Sequence, residues 1–424
     1  MNNYQSPFSN RYGSDEMRTV FSDDNKYSTW RKLWVNLAKA EQFLGLPISD
    51  EQIEEMEDHV NDIDYELAAE YENQTHHDVM AHILAYGDQC PKAKPIIHLG
   101  ATSCYVTDNT DVFMQRNAVV ILYKRLSNVI ETLRNRIREE SGETVMVGYT
   151  HLQAAQPVTL KKRLAMWLQD LLIDADQMKF QFDNIRYLGC RGATGTSSSF
   201  LELFDGNEYA VTKLEDLLFS KVKVFAVSGQ TYTRKQDYNI MSVLSGICQS
   251  ASKFANDVRF LSSTGEIKEG KSKNQVGSSA MPYKENPIGC EKINSLSRYV
   301  ISSVEVLGMN AATQVMERTL DDSANRRVLI PELFLATEEV LLTYEKVAEN
   351  LFVDYDRIEG IVQSNVNKFM KEPTLMKAVL NGGDRQKVHE ELRTGEMDAV
   401  VDNKSMDRIA GLSEEYAFKL YNGQ

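Results

Sequence analysis

Residues 240–261 read IMSVLSGICQSASKFANDVRFL, and their apolar positions decide the fold. Ile240, Leu244, Ile247, Ala251, Phe254, Val258 and Leu261 recur at alternating spacings of four and three. Such a seam follows one face of an α-helix and marks a helix packed along its length against others. A second seam runs Leu164, Leu168, Leu171, Ala175, Met178, Phe182. A third runs Val119, Leu122, Leu126, Val129, Leu133, Ile137, with Gly142 as its C-terminal stop. Weaker runs cover about 291–309 and 325–351. Five helices of roughly 20–30 residues far exceed the usual mean of about 11–12. Long helices with matched seams form a bundle, so the expected fold is all-α.

Working outward, the first hundred residues carry shorter, punctuated helices. Trp30–Leu44 is amphipathic and ends at Gly45-Leu46-Pro47; Ser49 opens the next helix with Gln52 three residues on, a capping box. From about 352 the helices are short again. The expectation is three helical domains: 1–110, a central 111–351 holding the five-helix bundle, and 352–424. Strand signals are few, and Lys221–Val227 is the best candidate. Ser262–Gly289 is rich in Gly, Ser and Lys and carries no helical seam. A loop of that length in a compact helical protein is functional or disordered.

Composition narrows the class. The 424 residues are 42% hydrophobic and 25% charged, the profile of a folded chain rather than a disordered one. A net charge of -14 argues against a nucleic-acid partner. It leaves room for a small anionic substrate, because a few Arg and Lys residues can invert the field of one cleft. No stretch approaches about 18 consecutive apolar residues, so no membrane span is expected. The N-terminus shows no charged-then-apolar signal pattern. Cys90, Cys104, Cys190, Cys248 and Cys290 are scattered and never CxxC, which suits free thiols in a reducing, cytoplasmic setting.

Three groups of residues can carry chemistry. His77, His98 and His151 read as acid–base groups of one pocket, or each as a surface or satisfied core histidine. His77 and His82 are five apart and no His/Cys cluster has ligand spacing, so no metal is expected. Gly277–Pro287 sets two hydroxyls, a cation and an amide among Gly and Pro residues. It suits a loop that covers an anionic ligand, or a mobile linker. Arg318, Arg326 and Arg327, with Arg11 and Tyr12 near the N-terminus, match carboxylate or phosphate geometry, or a solvated surface. The GATG at 192–195 lacks GxxxxGK[ST], and Ser197–Ser199 lack GxSxG, which disfavours a phosphate loop and a serine hydrolase.

GSSAMPYKENP (277–287) resembles the signature loop of the fumarase/aspartase superfamily. HLGATSCYVTDNTD (98–111), YTHLQAAQP (149–157), GQTYTRKQD (229–237) and ERTLDDSANRR (317–327) are similar to motifs of its adenylosuccinate lyase branch, in the same order. The similarity runs from SNRYGSDEM at 9–17 to GGDRQKVHEELR at 382–393. It implies three helical domains, a homotetramer built by pairing the bundles, and active sites drawing motifs from three chains. The implied chemistry is β-elimination of fumarate from adenylosuccinate and from the succinylated aminoimidazole carboxamide ribotide. Such a reaction needs a base, an acid for the departing nitrogen and cations for the carbanion, but no metal or organic cofactor.

By the same resemblance, Ser278 is the base, with Ser279 as its rival, and His151 is the acid. Glu291 orients His151, and His77 positions the phosphate or a proton. Lys284 and Asn286 bind the succinyl carboxylates; Thr102, Ser103, Thr150 and Gln230 line that site. Arg11, Tyr12, Arg318, Ser323 and Arg327 hold phosphate and ribose, and His98 has no firm role. Loop closure would exclude water, so substrate is expected to slow trypsin at Lys268–Lys273. Three departures stand out: His76 where many relatives carry a basic residue, Ser197 where one branch carries Gln, and only about 31 residues after HEELR. The competing readings are another fumarate-releasing lyase, acting on argininosuccinate or aspartate, and a non-catalytic structural relative. The phosphate set disfavours the first, and retention of Ser278, Lys284, His77, His151 and Glu291 the second.

Overall fold

A computed structural model of the chain describes residues 3–140, 144–270, 281, 283–402, 408 and 411. In chain order the elements are α1 (Asp15–Val20), α2 (Asp23–Phe43), α3 (Asp50–Asp58), α4 (Tyr65–Thr75), α5 (Asp78–Gln89), α6 (Ser103–Glu139), β1 (Val145–Thr150), β2 (Gln153–Thr159), α7 (Leu160–Asn184), α8 (Ser198–Leu203), α9 (Glu208–Phe219), α10 (Lys235–Thr264), β3 (Ile267–Lys268), α11 (Ile288–Thr313), α12 (Ser323–Glu349), β4 (Phe352–Val353), α13 (Tyr355–Phe369), α14 (Lys371–Leu380) and α15 (Arg385–Thr394). The all-α expectation holds. The five long helices are α6, α7, α10, α11 and α12, at 37, 25, 30, 26 and 27 residues. The seam from Ile240 to Leu261 is buried throughout α10, and that from Val119 to Ile137 throughout α6. In α7, Ala175 and Phe182 are only half-buried. The capping box forms as read: Gln52 N–H donates to Ser49 Oγ, and Ser49 N–H to Gln52 Oε1 at 2.9 Å. The Gly142 stop lies outside the described residues.

Two expectations are corrected. Lys221–Val227 forms no strand; it makes one isolated bridge, Tyr187 to Val224. The strands fall instead at β1–β2, an antiparallel hairpin from Val145 paired with Thr159 to Thr150 paired with Gln153, and at the short pair β3–β4. The seamless interval is also shorter than 262–289, because α10 runs on to Thr264 and α11 starts at Ile288.

The chain divides into two compact units. One comprises Met1–Lys124, Gln177–Gly246 and Tyr299–Glu339; the other Arg125–Asp176, Ile247–Arg298 and Val340–Gln424. Every long helix contributes residues to both. In the first unit, Trp30, Trp34, Tyr86 and Tyr105 are fully buried. The His82 ring stacks on Tyr27 at 3.8 Å, and burial lowers its pKa to about 4.

Deeper in the first unit lies an ion network. Arg234 grips Asp108 bidentately at 3.0 and 3.1 Å and Asp322 at 2.6 Å. Arg326 binds Asp237 at 2.7 Å, Asp111 at 3.0 Å and the Tyr232 hydroxyl at 2.7 Å. Each charge is paired, as burial demands. Glu41 on α2 is the exception: it is fully buried, both carboxylate oxygens lack a partner among the described residues, and burial pushes its pKa up to about 8.

In the second unit, Trp167 packs edge-on against Phe254 at 5.0 Å, and Phe254 stacks on Tyr344 at 4.0 Å. Val147 of β1 joins Val362, Phe369 and Met370 in a cluster that seats the hairpin on α13. Leu375, Val388 and Leu392 pack α14 on α15. The five cysteines are buried and form no disulfide among the described residues.

Candidate active site

In the first unit, NQTHHDV is a helix–helix corner. His76 ends α4 in the left-handed region at φ 52°, which histidine adopts more readily than most residues. His77 then begins α5 as its N-cap, Nδ1 accepting from Met80 N–H at 3.4 Å. An accepting Nδ1 puts the proton of the neutral ring on Nε2. That nitrogen lies 3.4 Å from the hydroxyl of Ser103, the first residue of α6. Asp78 sits on the other side of His77, Oδ1 at 3.7 Å from Nδ1, and its Oδ2 accepts from Arg327 Nη2 at 2.7 Å. His77, Ser103 and Arg327, from three distant segments of sequence, therefore meet at one corner.

The same unit holds most of the other residues of this set. Gln230 Oε1 accepts from the Cys104 thiol at 3.7 Å, and Gln230 Nε2 donates to the Ala193 carbonyl at 3.1 Å, so the amide is oriented. The GATG segment is a tight turn rather than a phosphate cradle. Gly192 N–H donates to the Thr196 carbonyl at 2.7 Å, and a Cβ on Gly195 would lie 2.0 Å from the Ser228 carbonyl oxygen. Thr102 is half-buried, its carbonyl accepting from Tyr105 N–H at 2.8 Å. His98 accepts at Nδ1 from the Trp34 indole at 2.8 Å. Burial, and secondarily the neighbouring His77, lowers its pKa to about 4, which makes it a neutral ring near pH 7. Arg318 pairs with Asp322 at 2.8 Å. Burial works against that carboxylate's charge, but Arg234, Arg318 and Arg326 together hold its pKa below the ordinary range. Ser323 begins α12. Arg11 is exposed, 5.7 Å from the Tyr12 ring centre. The residues after it are pinned to α12: Gly13 N–H donates to Glu339 at 3.0 Å and Ser14 Oγ to Glu338 at 2.8 Å.

In the second unit, Thr150 and His151 lie exposed at the β1–β2 turn. His151 and Leu152 hold φ at 52° and 59°. Positive φ at both central residues is the two-residue hairpin geometry that normally selects Asn-Gly. Two L side chains there store strain, and strain of that kind gathers at functional sites. Lys284 is exposed, its N–H donating to the Met281 carbonyl at 3.0 Å. Asn286 is half-buried, and its carbonyl accepts from Ile288 N–H at 2.9 Å. Glu291 is exposed in the first turn of α11, and among the described residues no hydrogen bond joins it to His151. Ser278 and Ser279 lie outside the described residues, as do Lys271 and Lys273. Lys268 is held in β3 opposite Phe352, which disfavours cutting there.

Sequence reasoning missed Asp78, Cys104 and Trp34. The only signal for Asp78 is an acid in a helix first turn, which any helix start favours. Among the described residues no group of three or more His, Cys, Asp or Glu side chains has the arrangement of a metal site.

The family described as Lyase matches residues 10–302. The adenylosuccinate lyase of Schistosoma mansoni is 39% identical over 424 residues, 99% of this chain and 87% of that protein. The adenylosuccinate lyase of Saccharomyces cerevisiae is 42% identical over 397 residues, 92% of this chain and 82% of that one. Among solved structures, the 3-carboxy-cis,cis-muconate lactonizing enzyme of Pseudomonas putida superposes with a TM-score of 0.81 at 21% identity, covering 99% of this chain and 98% of that one. That likeness speaks to the fold alone. Matched over most of its length by one family, and near 40% identical to relatives across most of theirs, the chain is a lyase that belongs to the adenylosuccinate lyase family.

Proposed function

We propose that the chain eliminates fumarate from adenylosuccinate to give AMP, and from the succinylated aminoimidazole carboxamide ribotide, as a cytoplasmic enzyme of purine biosynthesis. The observation that carries the reading is the meeting of His77, Ser103 and Arg327 in a chain of this family. A hydroxyl and an imidazole beside a guanidinium suit a ligand that presents both a carboxylate and a phosphate.

In the proposed mechanism, Ser278 (or Ser279) removes the proton beside the succinyl carboxylate. Lys284 and Asn286 stabilise the carbanion, with Thr102, Ser103, Thr150 and Gln230 around it. His151 protonates the leaving nitrogen, oriented by Glu291. Arg11, Tyr12, Arg318, Ser323 and Arg327 hold the phosphate and ribose. A serine hydroxyl is a weak base, so nearby cations must favour its alkoxide.

A homotetramer with active sites shared among three chains completes the proposal, as does the three-domain division at 110/111 and 351/352. Met166, Ile173 and Phe180 support the assembly: seven residues apart on α7, they leave one apolar face exposed. Light scattering should give four chains per particle.

The reaction is tested by ultraviolet absorbance with adenylosuccinate, argininosuccinate and aspartate, without added metal. Conversion of adenylosuccinate alone to AMP and fumarate is expected. Turnover of only another substrate would reassign Arg318 and Arg327; no turnover by a folded tetramer would favour a structural role.

A further inference from the structure

The second unit holds a cleft of about 210 Å³ that, apart from Thr150, uses none of the residues assigned above. Lys162, Arg163 and Lys253 bring three cations to it, while Val158 and Met166 give it an apolar wall. Lys162 and Arg163 stand in the first turn of α7, which carries no acid. The helix dipole is already positive there, so cations at this end are disfavoured unless an anion joins them. Burial, then Arg163 and Lys253, lowers the Lys162 pKa.

Of the carboxylates nearby, Asp257 lines the cleft and pairs there with Lys253, and Glu266 engages neighbours through Oε2. Asp257 Oδ2 accepts from the Trp167 indole at 2.7 Å and from Lys253 Nζ. Glu266 Oε2 accepts from Tyr149 at 2.8 Å and Thr264 at 2.6 Å. Arg163 donates from Nη2 to the Val147 carbonyl at 2.8 Å, and its Nε is buried without a partner among the described residues. A buried donor left unpaired inside a crowded cluster of cations is a place lacking an anion.

We propose that this cleft binds a small dicarboxylate of the fumarate class, with Lys162 and Arg163 at one carboxylate, Lys253 at the other and the carbon spine against Val158 and Met166. The volume lies below the roughly 300 Å³ of ordinary small-molecule pockets, which excludes a nucleotide. The choice of fumarate rests on the proposed reaction, which releases it; the anion site itself does not. The competing occupant is an acidic side chain of a second copy, since Met166 also belongs to the exposed face of α7.

Trp167 reports on the cleft through Asp257. Protein labelled with 5-fluorotryptophan has three tryptophans, and Trp167→Phe identifies the resonance. Fumarate should shift the Trp167 signal saturably, and inorganic phosphate should not. Lys162→Met, which leaves the Trp167–Asp257–Lys253 contacts in place, should raise the fumarate midpoint at least about tenfold, and Lys162→Arg should restore it. No saturable shift in the wild type, an unchanged midpoint in Lys162→Met, or a shift with phosphate alone would each overturn the assignment. Turnover assayed on the same samples separates the two ideas: a fumarate shift in an inactive wild type would sink the proposed reaction and leave the cleft standing.

Discussion

Glu41 offers a prediction whose size can be worked from the structure. Its carboxyl is fully buried on α2 with no hydrogen-bond partner among the described residues, and burial raises its pKa from 4.5 to about 8. The folded chain therefore keeps this proton where the unfolded chain has lost it. Below about pH 4.5 both states are protonated and the group is neutral to stability. As pH rises toward 8 the unfolded state ionises and the folded state does not, so stability falls. At about 1.4 kcal/mol per pH step, the full displacement is worth on the order of 5 kcal/mol, of which about 2 kcal/mol falls between pH 6 and 8. Glu41→Gln keeps the shape and removes the titration. Trp30 and Trp34 lie buried on the same helix, so urea unfolding followed by tryptophan fluorescence reads the relevant region. Between pH 6 and 8 the wild type should lose about 2 kcal/mol more than the variant. The comparison of slopes cancels every other titrating group. Parallel slopes for the two proteins would refute the reasoning, because they would mean that Glu41 is ionised in the folded state or reaches a partner.

Other perturbations follow from the same geometry. His151→Ala should lower turnover at least about 10²-fold with helicity unchanged, and unaltered turnover would remove His151 as the acid. Leu152→Gly relieves a left-handed L residue whose side chain is 70% exposed, so the thermal midpoint should rise with a gain of about 1 kcal/mol; a loss would show that the side chain packs on something. Arg326→Met leaves Asp237 and Asp111 without their guanidinium and should cost about 3–5 kcal/mol by urea midpoint. Lys39→Met, which breaks the half-exposed pair with Glu57, should stay within about 1 kcal/mol on the same assay.

The long helices are legible because a helix seam is a property of spacing alone, and burial from Ile240 to Leu261 follows it residue by residue. The β1–β2 hairpin is not legible for a matching reason. VMVGYTHLQAAQPVT carries a glycine and a proline inside the strands and places His-Leu where the turn chemistry calls for Asn-Gly. Local preference therefore points to Lys221–Val227, whose backbone makes only one bridge. The hairpin forms because Val147 reaches the cluster with Val362, Phe369 and Met370, more than two hundred positions away in the chain. The site divides in the same manner. Motif similarity marks His77 and Ser103, but their contact with Arg327 runs through Asp78, which no local pattern singles out.

The adjacent arginines of ERTLDDSANRR show why spacing cannot settle function. Successive residues on an α-helix point about 100° apart, so Arg326 and Arg327 must face different surroundings. Arg326 turns inward, where Asp237, Asp111 and Tyr232 saturate it. It can hold no ligand without leaving buried carboxylates unpaired. Arg327 turns outward, where its side chain is 61% exposed and meets one carboxylate, Asp78. An arriving phosphate would exchange one anionic partner for another at that guanidinium and free Asp78 beside His77. Phosphate binding at Arg327 and the charge felt by His77 are thereby linked through a single side chain. That link follows from the fold alone, and it places the proposed phosphate contact next to the proposed proton-positioning imidazole without requiring any further motion of the backbone.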